Sequence, residues 1–182
     1  MGRCAVAVIG AGFSGTLLTL HLLRRTTPAT QIVLFERNSQ FARGLAYSTS
    51  NPNHLLNVPA GRMSAFGDRP LDFLRWLRGQ KEADGCRAPP TANCFVSRSL
   101  YGSYIRHLLN EELQEGKDRL QLVRGDVIGL SATENGVTIR LDRNRDMSAD
   151  LAVLAIGNFP PESRASKTRV SMSAPRYCAD PW

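Results

Sequence analysis

A short apolar run followed by three spaced glycines constrains this chain more than any other feature of its sequence. The run Cys4–Ile9, CAVAVI, is half β-branched, as is typical of a strand that is buried on both faces of a sheet. Gly10 would let the chain turn sharply out of this strand, Gly12 would let the backbone approach a pyrophosphate, and Gly15 would let a helix pack closely. The pattern therefore predicts a βαβ unit that binds a dinucleotide.

The residues after the glycines complete this unit. A helix over residues 14–25 would point its free N–H groups and its positive dipole end at the pyrophosphate. Glu36 ends a second apolar run, QIVLFE, where its carboxylate would accept hydrogen bonds from an adenosine ribose. An acid at this position disfavours a ribose 2′-phosphate, so the motif is compatible with FAD or NAD and disfavours NADP at this first site.

Residues 38–69 show no helix or strand periodicity and form a long connection inside a compact domain. Such connections are usually functional or disordered, and the apolar residues that recur through this one argue against disorder. These residues are Phe41, Leu45, Tyr47, Leu55, Leu56, Val58, Met63 and Phe66. We therefore expect an ordered loop that covers a ligand, and this loop favours FAD over NAD.

Two helices are predicted after this loop. The first would begin at Pro70, with Asp68 as its N-cap. Its buried side would consist of Leu71 and Leu74 with either Leu77 or Trp76. The second would follow Ser97, span residues 100–115 and end near Gly116. Its apolar face would consist of Tyr101, Tyr104, Ile105, Leu108 and Leu109.

Four apolar segments follow, namely LQLVRG, VIGLSATE, VTIRLD and LAVLAIG. The first suits a parallel strand of the same sheet, and Asn135-Gly136 between the second and third is a strong hairpin signal. Residues 126–153 thus predict an antiparallel meander, from which residues 151–156 return to the sheet. Gly157 ends that strand and permits a second close approach of backbone to ligand. The expected fold is α/β and Rossmann-like, with three layers formed by the parallel sheet, the helices and the meander.

Composition and charge exclude several classes of partner. The net charge is +7, but the arginines are scattered without a basic stripe or interleaved aromatic residues, so nucleic acid is not an expected partner. The chain has no apolar run of membrane-spanning length and no signal-peptide pattern before its first strand. We therefore expect a cytoplasmic protein that binds a small-molecule substrate and does not contact a membrane.

The cysteines and histidines indicate neither a metal site nor a nucleophile. The four cysteines are Cys4, Cys86, Cys94 and Cys178. They form no C-x-x-C pair and have no histidine at zinc-finger spacing, which suits a reducing compartment. Cys4 is expected in the core as a small hydrophobic residue. Of the histidines, His54 is the candidate acid or base, although a histidine in an N-P-N-H turn more often has a structural role, as expected also of His21 and His107.

The order of these parts resembles the FAD/NAD(P)-binding flavoproteins of glutathione-reductase type, in which a three-stranded meander interrupts the parallel sheet. The segment AVLAIG matches the strand that follows the meander, with Ile156 where threonine is common. The segments HLLNVPAGRMSAF (54–66) and FVSRSLYGSYIRHLL (95–109) resemble a narrower family of FAD-dependent monooxygenases, which includes a flavin-dependent urate hydroxylase and an aspartate N-monooxygenase.

This resemblance implies roles for individual residues. The pyrophosphate would be held by Gly10, Gly12, Phe13, Ser14 and Gly15. The ribose would be held by Glu36 and Arg37, and these two residues would also flank the adenine. The backbone of Val127 would contact the adenine edge. The residues that approach the flavin would be Asn57, Val58 and Met63.

The resemblance also implies what the complete enzyme does and how much of it this chain represents. The complete enzyme would reduce FAD with NADPH, take up O2 and transfer one oxygen atom to a small nitrogenous substrate. Family members are longer, so residues 1–157 would be the first part of the FAD/NAD(P)-binding domain, incomplete at its C-terminus, and 158–182 a tail or the start of a second region. This part alone is expected to bind FAD poorly and to be inactive. Two alternatives are a non-catalytic or truncated dinucleotide-binding module and an NAD-dependent reductase without flavin.

Overall fold

The computed structural model of the protein describes residues 4–80, 89–115 and 118–158. Its regular elements, in chain order, are β1 (Cys4–Ile9), α1 (Phe13–Arg25), β2 (Thr30–Glu36), α2 (Asp72–Gly79), α3 (Arg98–Glu115), β3 (Leu120–Arg124), β4 (Val127–Thr133), β5 (Gly136–Leu141), β6 (Arg145–Ala149) and β7 (Leu151–Leu154). The expectations for Cys86, Gly116, Cys178 and residues 159–182 lie outside the described residues.

A parallel sheet with the strand order β3-β2-β1-β7 forms the middle layer. β1 pairs with β2 from Cys4 opposite Thr30 to Ile9 opposite Phe35, and α1 connects the two strands, as predicted. The segments LQLVRG and LAVLAIG return to this sheet as β3 beside β2 and β7 beside β1. The glycine turn after β1 therefore lies at the carboxyl end of an interior strand.

The antiparallel sheet β4-β5-β6 confirms the predicted meander. Its first hairpin turn lies one residue earlier than expected, because Thr133 pairs with Gly136 and the turn residues are therefore Glu134 and Asn135. Gly136 has φ +143°, and a Cβ there would overlap the backbone oxygen of Ala149. Glycine is thus required at the start of β5 rather than at the tip of the turn.

Two apolar clusters join the three layers. On one face of the sheet, Phe35 packs with Ile139 of the meander. On the other face, Val8 belongs to the same cluster as Leu20 of α1 and Ile105 of α3. This is the three-layer α/β arrangement that the sequence predicts.

α2 differs from its prediction in its start and in its buried side. It begins at Asp72 with Leu71 as the N-cap residue and without a side-chain capping bond, so Asp68 does not cap it. Leu71 is 44% exposed, whereas Phe73 is fully buried against tyrosine rings of α3. The other buried residues of the helix are Leu74 and Leu77, as predicted.

α3 confirms its predicted apolar face. It begins two residues earlier than expected, at Arg98, and the Oγ of Ser97 accepts a hydrogen bond from the Leu100 N–H at 3.3 Å. All five residues assigned to its apolar face are buried. In the described part of the chain, neither α3 nor another helix has the length and apolar character needed to cross a bilayer.

Cys4 is exposed, contrary to its expected place in the core. It occupies the first position of β1, two residues before the pairing with β7 begins at Val6, and burial also begins at Val6. Cys94 is a half-buried free thiol in the segment that precedes α3.

Arg119 ties the carboxyl end of α1 to the sheet. Its Nη1 donates to the Leu23 carbonyl at 2.9 Å, and its Nη2 donates to the Thr26 hydroxyl at 2.8 Å. Its Nε donates to the Thr30 carbonyl at 3.2 Å. The planar guanidinium thus satisfies carbonyl groups that the end of a helix leaves unpaired and links α1, β2 and β3.

We expect Arg119→Lys to lower the free energy of unfolding by about 1–3 kcal/mol, because an ammonium group cannot reproduce the fork of donors. Arg75→Lys is the matched control, since Arg75 is exposed on α2 and has no hydrogen bond or ion pair from its side chain in the described structure. Urea unfolding followed by circular dichroism measures both variants. Equal stability of the two would contradict a structural role for Arg119.

Candidate functional site

The fold itself requires two of the three glycines after β1. Gly10 has φ +101°, and a Cβ on it would lie 2.5 Å from the Ala155 carbonyl oxygen. A Cβ on Gly15 would overlap the carbonyl oxygen of Gly10. Both glycines therefore let α1 and β7 pack directly on the turn, as expected for Gly15.

Gly12 differs from these two because no neighbouring protein atom is close enough to exclude a side chain there. A Cβ there would meet only the Cα of Gly44, at an ordinary contact distance of 3.5 Å, and its φ is −69°. Gly12 is also the N-cap residue of α1 and supplies no side-chain cap. Packing among the described protein atoms therefore does not require a glycine at position 12.

The first turn of α1 presents unpaired donors next to this space. The first intrahelical bond runs from the Thr16 N–H to the Gly12 carbonyl, so the N–H groups of Phe13, Ser14 and Gly15 have no partner within the helix. No acidic residue lies in this turn. Free N–H groups and the positive end of the helix dipole make this turn a favourable position for an anion.

Glu36 holds the glycine turn from the neighbouring strand. Its side chain is 8% exposed, and its Oε2 accepts the Ala11 N–H at 2.9 Å. Its Oε1 accepts two bonds from Asn38, from the backbone N–H and from Nδ2, each at 2.9 Å. Because a carboxylate offers about four acceptor positions, one remains on Oε2 for a further donor such as a ribose hydroxyl.

Other predicted residues lie around the same end of the sheet. Arg37 is exposed beside Glu36. Val127 is half-buried at the start of β4, close to β2 because the Gly125 N–H donates to the Glu36 carbonyl at 3.0 Å. Gly157 is exposed with φ +73° and no atom within 4 Å of a built Cβ, so its left-handed backbone, and not crowding, favours glycine.

The loop over residues 38–69 is ordered and packs on the glycine turn, and short 3-10 turns span Leu45–Tyr47 and Ala60–Arg62. A Cβ on Gly44 would lie 2.9 Å from the Phe13 nitrogen. At the far end of the loop, the Arg24 guanidinium lies over the Phe66 ring, 3.4 Å from its centroid. The loop therefore contacts both ends of α1. No sequence pattern indicated that Gly44 would approach Phe13 so closely.

Of the three residues assigned to the flavin, Asn57 and Val58 lie in a bulged part of this loop, and Met63 follows the 3-10 turn Ala60–Arg62. The loop pairs with the segment before α3 through the Leu56 N–H to Val96 carbonyl bond and the Ala60 N–H to Cys94 carbonyl bond, at 2.8 and 2.9 Å. The register shifts between these bonds, which places Asn57 and Val58 in the bulge. Of the three residues, Asn57 is exposed and Val58 and Met63 are half-buried.

An aromatic cluster lies behind the turn. The Phe13 and Tyr47 ring centroids are 5.1 Å apart, and those of Tyr47 and Tyr101 are 4.9 Å apart. Burial raises the pKa of Tyr47, and Arg98 partly opposes this rise. Burial and the neighbouring Tyr47 raise the pKa of Tyr101. Both phenols therefore stay neutral near pH 7, and their rings pack against each other.

His54 is held within its own turn. Its Nδ1 lies 2.8 Å from the Thr49 hydroxyl, and its Nε2 lies 3.4 Å from Asn51 Nδ2. These contacts agree with the structural role expected for this histidine. Within the described residues, no three His, Cys, Asp or Glu side chains meet in a way that could hold a metal ion.

The chain matches a known protein family and is similar to several solved structures. A family model described as FAD-NAD(P)-binding matches residues 7–159. A flavin monooxygenase from Stenotrophomonas maltophilia is similar in structure, with 19% identity and a TM-score of 0.55 over 85% of this chain and 38% of its own. S-allyl-L-cysteine S-oxygenase from Allium sativum has 19% identity and a TM-score of 0.56 over 82% of this chain and 35% of its own.

A structure of cyclohexanone monooxygenase has 17% identity and a TM-score of 0.58 over 88% of this chain and 29% of its own. These identities show a shared fold, and this chain spans 29 to 38% of the length of the three structures. A search of curated proteins found no match.

We expect Glu36→Ala to lower the free energy of unfolding by about 1–3 kcal/mol, because it leaves the buried Ala11 N–H without an acceptor. Asn38→Ala keeps that bond and removes only the Nδ2 donor, so a smaller loss of about 0.5–1.5 kcal/mol is expected. Urea unfolding of both variants in the absence of nucleotide measures this difference. Equal losses would show that the bond from Ala11 to Glu36 does not hold the turn.

Proposed function

The chain belongs to the FAD-NAD(P)-binding family, and we propose that it holds the ADP half of FAD within a flavoprotein oxidoreductase. The observation that carries this proposal is the uncapped N-terminus of α1. Packing within the described protein does not require a glycine at position 12, since a Cβ there would be at an ordinary contact distance from Gly44, and Gly12 lies beside N–H groups without a helix partner. A pyrophosphate has the charge and the acceptor oxygens that such a turn binds.

The residues around the turn fit an adenosine diphosphate. The remaining acceptor position on Glu36 suits one ribose hydroxyl, and the same buried carboxylate would repel a 2′-phosphate. The pyrophosphate would be held by Gly10, Gly12, Phe13, Ser14 and Gly15. The remaining contacts would come from Arg37 and Val127 at the adenine, from Asn57, Val58 and Met63 at the flavin, and from Gly157 as a second backbone approach.

FAD, when bound, supplies the redox chemistry, with NAD(P)H as the reductant of the complete enzyme. The residues of this chain bind and orient the cofactor and exclude water from it. A catalytic acid and base are not needed for that task, so the structural role of His54 in its turn is consistent with the proposal.

We further propose a monooxygenase acting on a small molecule. Support comes from the resemblance of the segments at 54–66 and 95–109 to the family that includes the urate hydroxylase and the aspartate N-monooxygenase. The monooxygenase and S-oxygenase structures share the fold. This chain spans about a third of the length of those structures. A small-molecule substrate and its oxygenation are therefore proposed for the complete enzyme.

Titration separates this proposal from its two alternatives. Flavin absorbance in the purified protein, or tighter binding of FAD than of NAD, supports the FAD assignment. A colourless protein that binds NAD and not FAD would instead indicate a reductase without flavin. A colourless protein that binds neither FAD, NAD nor ADP would indicate that the turn does not bind nucleotides.

We expect Gly12→Ala to weaken ADP and FAD binding by about tenfold or more, because its methyl group occupies the space beside the α1 N–H groups. The fold should be retained, since the nearest protein atom would lie 3.5 Å from the new Cβ. Calorimetric titration measures affinity and thermal unfolding measures the fold. Gly67→Ala is the control, because a Cβ at this exposed glycine meets no atom within 4 Å. Unchanged ADP affinity in Gly12→Ala would refute the assignment of the pyrophosphate.

A further inference from the structure

Asn38 occupies one oxygen of the Glu36 carboxylate from a position two residues further along the chain. Its backbone N–H and its Nδ2 both donate to Oε1, each at 2.9 Å. A carboxylate oxygen accepts about two hydrogen bonds, one for each lone pair. The acceptor capacity of Oε1 is therefore used entirely by Asn38.

The other oxygen of the carboxylate is used only in part. Oε2 of Glu36 accepts the Ala11 N–H at 2.9 Å, and within the described residues no cationic side chain forms an ion pair with Glu36. Glu36 is 8% exposed, and buried polar groups normally use their hydrogen-bonding capacity. Oε2 can thus accept one further hydrogen bond, whereas Oε1 cannot.

The orientation of this carboxylate is fixed on several sides. The backbone of Glu36 pairs with Arg124 of β3, and its carbonyl accepts the Gly125 N–H at 3.0 Å. Its two side-chain oxygens are held separately, one by Ala11 and one by Asn38. Rotation of the carboxylate would leave the N–H of the fully buried Ala11 without an acceptor, which is costly. The two oxygens therefore keep their different roles.

We propose that Asn38 is a positioning residue that limits Glu36 to one of the two hydroxyl groups of a nucleotide ribose. A carboxylate with both oxygens open can accept one hydrogen bond from each of two adjacent hydroxyls. Here Nδ2 of Asn38 takes the position on Oε1, so only Oε2 accepts from the sugar. This inference rests on the proposed function, since it requires the ADP half of a dinucleotide to bind at the glycine turn.

Removal of the Asn38 side chain would restore an acceptor position on Oε1. Asn38→Ala keeps the bond from the backbone N–H and loses only the bond from Nδ2. Glu36 could then accept from both ribose hydroxyls. A residue that only stabilises the turn would instead change the affinity of every nucleotide by the same factor, whichever hydroxyls the nucleotide carries.

The test titrates wild type, Asn38→Ala and the control Asn110→Ala, at an exposed asparagine of α3, with ADP, 2′-deoxy-ADP and 3′-deoxy-ADP. In wild type and in the control, one deoxynucleotide should bind about tenfold or more weakly than ADP, because a hydrogen bond to a charged group is lost. The other should bind as tightly as ADP. In Asn38→Ala both deoxynucleotides should bind about tenfold or more weakly than ADP, and ADP itself at least as tightly as in wild type. Calorimetry measures affinity, and thermal unfolding confirms that each variant is folded during titration.

Other patterns would overturn the inference. If both deoxynucleotides bind wild type more weakly than ADP, Glu36 already accepts from both hydroxyls. If neither does, no ribose hydroxyl bonds to Glu36, although binding of ADP would leave the assignment of the diphosphate intact. An equal loss of affinity for all three nucleotides in Asn38→Ala would show that Asn38 only supports the turn. Absence of ADP binding by wild type would overturn the proposed function together with this inference.

Discussion

The direct packing of α1 on the turn after β1 is the contact on which the rest of the structure depends. A side chain at Gly15 would overlap the Gly10 carbonyl, and one at Gly10 would lie 2.5 Å from the Ala155 carbonyl oxygen. These close approaches set the N-terminus of α1 at the carboxyl end of an interior strand. The turn is then held from β2 through the 2.9 Å bond from Ala11 to Glu36 and from β7 through the bond between Ala155 and Ile9.

The first turn of α1 leaves backbone donors without a partner. The helix N-terminus is uncapped, and the N–H groups of Phe13, Ser14 and Gly15 have no partner within the helix. The carboxyl end of the same helix is satisfied instead, by the four-bond contact of Arg119. Unpaired groups of this kind are expected where a ligand completes the structure, and a bound anion would pair these donors.

Predictability from sequence differed between elements for physical reasons. β1, α1 and the apolar face of α3 follow from strong local periodicity, because each buries a regular set of side chains. The buried side of α2 was predicted wrongly, because Phe73 is buried by tyrosines of α3, which are distant in sequence. Cys4 was expected in the core and is exposed, because it lies at the start of β1, before the strand pairs with β7 at Val6.

The sequence by itself determined the βαβ unit, the meander and the residues of the glycine turn, because each leaves a short-range pattern of glycine, apolar and turn residues. Only the tertiary structure decided what holds the turn. The Asn38 bonds to Glu36 and the approach of Gly44 to Phe13 both depend on where a loop without periodicity lies. That position is set by packing between residues far apart in the chain, which no local pattern records.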